Sequence, residues 1–303
     1  MKKFILKTAV FFSIIAILDV LLGIAFDYLV DHAKGGDYKR NNYICGEVNE
    51  DILIFGSSRA IHHYNPVIIS DSLDMSCYNC GQDGNGAILN YGRYQLINQR
   101  HHPKILIYDV ASGFDLLAGE DNHKYLKWLK AYYRREGIPE IFESVDDTEK
   151  YKMVSQLYRY NSNCIQILTE YLHPMQNDGI KGFRPNNGEM NTMKISRRDS
   201  TKKKEYVYDS LKLSYLKRMI NESEDTKIVF AVSPCWDGAD TTSFQPIKEL
   251  CEEYELPFID FSNSPKYVHH NEYFKDGTHL NARGADEFTR DFIRELRMRE
   301  VTK

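Results

Sequence analysis

The hydrophobic pattern opens with an almost unbroken apolar stretch. Residues 4–30, FILKTAVFFSIIAILDVLLGIAFDYLV, are interrupted mainly by Lys7, Thr8, Ser13, Asp19 and Asp27. A stretch that is apolar on every face predicts a helix of membrane-crossing length, since about 20 residues at 1.5 Å rise cover a hydrocarbon layer of about 30 Å. Residues 31–50 turn polar around Gly35-Gly36 and are expected to form a linker. From residue 51 onward, short apolar runs alternate with stretches of helical spacing. The runs at 51–55, 75–79, 104–110, 226–233 and 257–260 predict strands, and the stretches at 84–99, 210–221, 245–254 and 282–297 predict helices. Strands alternating with helices imply βαβ units, and hence a doubly wound α/β fold around a parallel sheet. The rhythm stops between 114 and 206. Two helical stretches, around 122–136 and 146–172, precede a Gly/Asn/Lys-rich segment at 175–205. This region is expected to be an insertion, either capping a site or extending the periphery. The expected organisation is therefore an anchor at 1–30, a linker at 31–50 and an α/β domain at 51–303.

Charge narrows the partners. Lys and Arg number 39 against 43 Asp and Glu, and the signs are interspersed, so nucleic acid is not an expected partner. The one local basic cluster, Arg197, Arg198 and Lys202 to Lys204, contains Asp199 and is expected to be a solvated loop. Lys2, Lys3 and Lys7 around the start of the apolar stretch favour a cytoplasmic N-terminus, with the folded part on the far side of the membrane. A carboxylate at Asp19, in mid-span, is costly unless partnered. No clear small-x-small cleavage pattern precedes Asp27 and no cysteine lies close enough for a lipobox, so a retained anchor is expected. Six cysteines are present, but Cys77-Tyr-Asn-Cys80 lacks the second pair that would complete a zinc set. Its thiols are expected to be small buried groups.

Ligand sites in doubly wound sheets lie outside the carboxyl ends of the strands. Ser58 follows the first strand after Gly56, where a helix begins. Unpaired backbone N–H groups there could stabilise a developing oxyanion, so Ser58 is a candidate nucleophile and its own N–H a candidate donor. Near the other end, Asp276-Gly-Thr-His279 lies on a loop leading into the last helix. Asp and His three apart can approach each other, the carboxylate holding the imidazole in one tautomer and stabilising its protonated form.

Together these segments resemble the SGNH (GDSL-like) hydrolase superfamily. Ile54-Phe-Gly56-Ser-Ser58-Arg is similar to its first block, with Ser57 where an Asp usually stands. Tyr78-Asn79-Cys-Gly81-Gln-Asp-Gly84 is similar to the second, and Phe274-Lys-Asp276-Gly-Thr-His279-Leu-Asn to the last. The resemblance spans about residues 51–298 without the insertion. It implies a three-layer α/β/α sandwich of flavodoxin-like type, ester hydrolysis through Ser58, His279 and Asp276 with no metal or organic cofactor, and an oxyanion N–H from Gly84. The third block normally carries an Asn, whereas here the strand ends Asp109-Val-Ala-Ser112-Gly113. Ser112 is the nearest substitute, and losing one oxyanion donor removes about 2.7–4 kcal/mol of barrier stabilisation. The expected substrate is an acylated extracytoplasmic carbohydrate, O-acetylated in the first instance, or a similar ester. The alternatives are O-acyl transfer onto cell-envelope polysaccharide, with a membrane-embedded acyl-donor partner, and a noncatalytic glycan-binding or assembly role.

Overall fold

A computed structural model describes residues 1–174, 179–191, 205–223 and 225–302. Five strands, β1 (Ile52–Gly56), β2 (Cys77–Asn79), β3 (Ile105–Asp109), β4 (Lys227–Val232) and β5 (Phe258–Asp260), form one sheet in the order β2-β1-β3-β4-β5. Every pairing is parallel, with Ile54 opposite Asn79 and Ile107, and Ile107 opposite Val229. Parallel strands covered on both faces read as continuous apolar runs, which is why the strands were legible.

Alternate strand residues feed two separate cores. Leu53, Phe55, Leu106, Tyr108, Ile228 and Phe230 face one, and Ile52, Ile54, Ile105, Ile107, Val229 and Ala231 the other. In chain order the helices are α1 (Lys2–Asp31), α2 (Gly36–Gly46), α3 (Ser58–His63), α4 (Pro66–Leu73), α5 (Ala87–Asn98), α6 (Ser112–Asp115), α7 (Ile138–Val145), α8 (Glu149–Lys152), α9 (Cys164–Leu172), α10 (Ser210–Asn221), α11 (Gln245–Glu253) and α12 (Ala282–Met298). The first core is closed by α2, α5, α10 and α11, the second by α3, α4 and α12. The result is the expected α/β/α sandwich, with α1 apolar enough to cross a membrane. From β1 the chain crosses to β2 over the second core and returns to β3 over the first. The carboxyl ends of β1 and β3 therefore flank the point where the connections diverge, which opens a crevice.

Two expectations are corrected. The polar stretch 31–50 is largely helix α2, packed into the domain with Tyr38, Arg40, Asn41 and Ile44 buried. Its polar side chains have distant partners: Arg40 donates to the carbonyls of Asn79 (2.7 Å) and Gly81 (2.8 Å), and Asn41 to that of Trp128 (2.9 Å). Within the insertion, Asn122–Tyr132 is a 3-10 helix, and the stretch 146–172 divides into α8, a short 3-10 turn and α9. The basic cluster at 197–204 lies outside the described residues. All six cysteines are free thiols, with Cys77 and Cys80 fully buried.

Candidate active site

Gly56 ends β1 at φ +142°, where an added Cβ would stand 2.6 Å from the Asp109 carbonyl oxygen and 2.9 Å from the Ala60 Cβ. Glycine lets the chain turn there without collision, so Ser58 begins α3 at the carboxyl edge of the sheet. The second half of the site is a loop folded upon Asp276. Its Oδ1 accepts from the amides of Thr278 (2.8 Å) and His279 (2.9 Å). Asn281 then caps α12 by accepting from the Gly284 amide (2.9 Å), while its own amide donates to the Glu272 carbonyl (3.0 Å).

The two halves meet. Ser58 Oγ lies 2.8 Å from His279 Nε2, and His279 Nδ1 lies 3.0 and 3.1 Å from the Asp276 carboxylate oxygens. Burial raises the Asp276 carboxyl, but the His279 ring and the two loop amides outweigh it and hold it below the usual value. An ionised carboxylate only accepts, so Nδ1 carries the ring proton and Nε2 is left to accept from the Ser58 hydroxyl. Asp276 is half-exposed, which leaves the loop side of the site open to solvent.

The oxyanion candidates fare differently. The Ser58 N–H sits in the first turn of α3, where helix amides lack intrahelical partners. Gly84 lies at φ +64° in the turn after β2, beside Asp83. Asp83 Oδ1 is 3.1 Å from His62 Nε2, and the His62 ring stands 5.5 Å from that of His279, so this turn borders the site. Ser112 opens α6, its carbonyl accepting from Leu116 and Leu117. Among the described residues its hydroxyl hydrogen-bonds to neither Ser58 nor His279.

A buried polar network under the site was not found from the sequence. Asp109 accepts from the Tyr64 hydroxyl (2.9 Å) and from the Ser233 amide (2.8 Å) and hydroxyl (3.2 Å). Arg59 stands 3.7 Å from the same carboxylate and donates to the Val110 carbonyl and to Cys235 Sγ (3.1 Å). Burial raises the Asp109 carboxyl in spite of these partners. His63 Nε2 accepts from the Leu280 amide (3.0 Å), and its Nδ1–H donates to Ser233 Oγ (2.9 Å). Burial, with the nearby Arg59 charge, pushes the His63 ring well below its ordinary value, so it is neutral. His62 is the opposite case. Both its nitrogens face acceptors, Asp83 and the Arg184 carbonyl (2.5 Å), which requires an imidazolium. Burial lowers this ring, but those bonds outweigh it and raise it above the usual value. The signal in the sequence was the Arg after Ser58 and the pair His62-His63, which gain meaning only once their distant partners are seen.

The described part of the insertion reaches this edge. Arg184 supplies the His62 partner, its amide donates to the Ile61 carbonyl (3.0 Å), and Asn186 accepts from the Ala282 amide (2.7 Å). A cleft of ≈ 520 Å³ between α2 and α9, lined by Asp37, Ile165, Glu170 and Arg184 among others, adjoins it. One His/carboxylate cluster, His123, Asp146 and Glu149, has metal-ligand spacing. The Lys152 ammonium, 2.8 Å from both carboxylates, already occupies the cation's place.

The arrangement is that of a Ser–His–Asp triad on an α/β sheet. No family model and no curated protein matches the chain. Its fold is similar to that of several solved structures. One is a Streptococcus pneumonia protein provisionally described as a platelet activating factor, with 12% identity over 91% of this chain and 98% of that one, and a TM-score of 0.41. Another is a Parabacteroides merdae protein provisionally described as a GDSL-like lipase, with 12% identity, 82% and 96% coverage and a TM-score of 0.38. A third is an acetyl xylan esterase from Butyrivibrio proteoclasticus, with 8% identity, 83% and 65% coverage and a TM-score of 0.37.

Proposed function

We propose that this chain is a serine esterase that removes acyl groups, O-acetyl in the first instance, from an extracytoplasmic carbohydrate or similar ester. The observation that carries the reading is the 2.8 Å approach of Ser58 Oγ to His279 Nε2, with Asp276 on the far ring nitrogen. His279 takes the Ser58 proton as the oxygen attacks the ester carbonyl, and returns it to the departing alcohol. Water, deprotonated by His279, then cleaves the acyl-enzyme and releases the acid. The Ser58 and Gly84 N–H groups are the proposed oxyanion donors. The test is hydrolysis of a short-chain aryl ester by the full chain and by its Ser58→Ala variant. Turnover that survives in the variant would end the proposal.

The same proposal holds the enzyme at the membrane by α1, N-terminus in the cytoplasm. Support comes from the packing of α1 on the domain: Val30 is buried and Phe26 stacks on Tyr160 at 5.4 Å. Cleavage near residue 27 would discard the Phe26 contact, so the mature N-terminus is expected upstream of it and the protein should resist a high-salt wash. Acyl transfer to an envelope polysaccharide is a second reading, favoured by the insertion's reach to the His62 side of the site. With an activated acyl donor and a polysaccharide acceptor, acyl-polymer exceeding free acid would select it.

A further inference from the structure

The insertion meets α1 at an unusual depth. Asp19 accepts from Ser155 Oγ (2.7 Å), the Gln156 amide (2.7 Å) and the Leu157 amide (3.0 Å). One turn further, Gly23 presses on Gln156 so closely that an added Cβ would lie 2.3 Å from the Gln156 Cβ. Two turns further, Asp27 pairs with Arg159 (2.9 Å) and accepts from the Tyr160 hydroxyl. Residues 155–160 therefore track α1 from Asp19 to Asp27. A 20-residue span that begins between Phe4 and Thr8 ends between Gly23 and Asp27. Asp19, and the turn bound to it, then lie about 6–12 Å below the edge of the hydrocarbon on the domain's side.

The turn has the properties that this depth demands. Unpaired backbone donors are not tolerated in hydrocarbon. Each amide from Met153 to Tyr158 has a partner: Met153 with Glu149, Val154 with Tyr151, Ser155 with Lys152, Gln156 and Leu157 with Asp19, and Tyr158 with Ser155 Oγ. The mid-span carboxylate and the turn's free amides thus satisfy one another. Its exposed side chains are Tyr151 (71%), Val154 (75%) and Ser155, the last with its hydroxyl bound to Asp19. Lys150 lies over the Tyr151 ring, a side chain long enough to carry its charge back toward the headgroups. Beside the outer end of α1, where Tyr171 approaches Tyr28 at 6.4 Å, α9 presents Ile165, Leu168 and Leu172 as one exposed stripe.

We propose that the 151–157 turn is inserted below the headgroups of the leaflet facing the folded domain, with the α9 stripe at the interface. The occupant of this surface is lipid, because the patch is continuous with the exposed apolar surface of α1 and the turn leaves no amide for a partner chain to bind. This rests on the anchor reading given above. Two contacts with the bilayer, where a helix on a loose tether would make one, fix the tilt of the sheet and the height of its carboxyl edge.

The test places single tryptophans in the full chain, reconstituted into phosphatidylcholine vesicles brominated along the acyl chains, and subtracts the emission of the parent protein. Val154→Trp should lose most of its added emission to the bromines, as Phe11→Trp on α1 should, while Met298→Trp, 69% exposed on α12 across the sheet from α2, should lose none. Quenching at Phe11→Trp with Val154→Trp behaving like Met298→Trp would overturn the insertion of the turn and leave the anchor standing. An unquenched Phe11→Trp would overturn the anchor, and this inference with it.

Discussion

Replacing His63 by Phe asks whether the loop that carries His279 is held from beneath. His63 is fully buried, its Nε2 accepting from the Leu280 amide at 3.0 Å and its Nδ1–H donating to Ser233 Oγ at 2.9 Å. A phenyl ring fills similar space and removes both partners. A buried N–H left unpaired costs about 1–3 kcal/mol, and a neutral hydrogen bond contributes about 0.5–1.5 kcal/mol, so His63→Phe should lose roughly 2–4 kcal/mol. In a domain of this size each kcal/mol moves Tm by about 2–4 °C. Leu280 follows His279 directly, so a loop displaced by about 1 Å should lower kcat by up to ~100-fold with KM little changed. His63→Gln, whose amide oxygen reaches the place of Nε2, keeps the acceptor for Leu280 and should recover most of the rate. Thermal unfolding followed by circular dichroism and hydrolysis of an aryl ester read the two effects. A His63→Phe protein equal to the parent in Tm and kcat, or a His63→Gln protein as slow as His63→Phe, would refute the reasoning.

Asp276→Asn should lower kcat on the order of 10⁴-fold, the loss seen when a protease triad cannot hold its histidine tautomer; a drop confined to KM would show that Asp276 only shapes the loop. Gly56→Ala should destabilise the fold by about 3 kcal/mol or more, because it adds strain at a positive φ to the collision with the Asp109 carbonyl; an unchanged denaturation midpoint would contradict this. The raised His62 value predicts stability that is fully present below about pH 6.5 and lost as pH climbs through the folded value. His62→Gln should flatten that slope in pH-dependent unfolding, and an unaltered slope would remove His62 from the account. Cys77 and Cys80, both buried with thiols pushed up by burial, should resist a thiol reagent until the protein unfolds.

How much was legible depended on whether the cause was local. β1, β3 and β4 appear within a residue or two of their expected ends, because a strand buried on both faces must be apolar throughout. Helix α2 did not, because Arg40 and Asn41 are buried against carbonyls of the 79–81 segment and of Trp128, and a polar stretch carries no mark of partners it meets only after folding. That Ser58, Asp276 and His279 would meet was legible through residue types at a strand end and at a loop before a helix. The network of Asp109, Ser233 and His63 was not, since the Ser233 hydroxyl finds His63 at a separation of 170 positions. Ser112 was chosen from its place after β3, and there it opens α6, with its carbonyl accepting from Leu116 and Leu117.

The 2.8 Å between Ser58 and His279 joins positions 221 apart, so neither local segment determines it. Both ends trace to one buried carboxylate. On the Ser58 side, Arg59 and Tyr64 bind Asp109 from within and just beyond α3. On the His279 side, Leu280 hangs from His63, which donates to Ser233, which donates to Asp109. Asp109 closes β3, and Ser233 follows β4, so the sheet edge serves as the common reference for the Ser58 and His279 side chains. A charge this deeply buried is retained only where its partners stay in place, and removing one leaves the other uncompensated. The network that brings Ser58 and His279 together therefore also penalises any displacement of the strand ends, and the geometry that the proposed proton transfer needs is tied to the integrity of the sheet rather than to the open, half-exposed loop on which Asp276 sits.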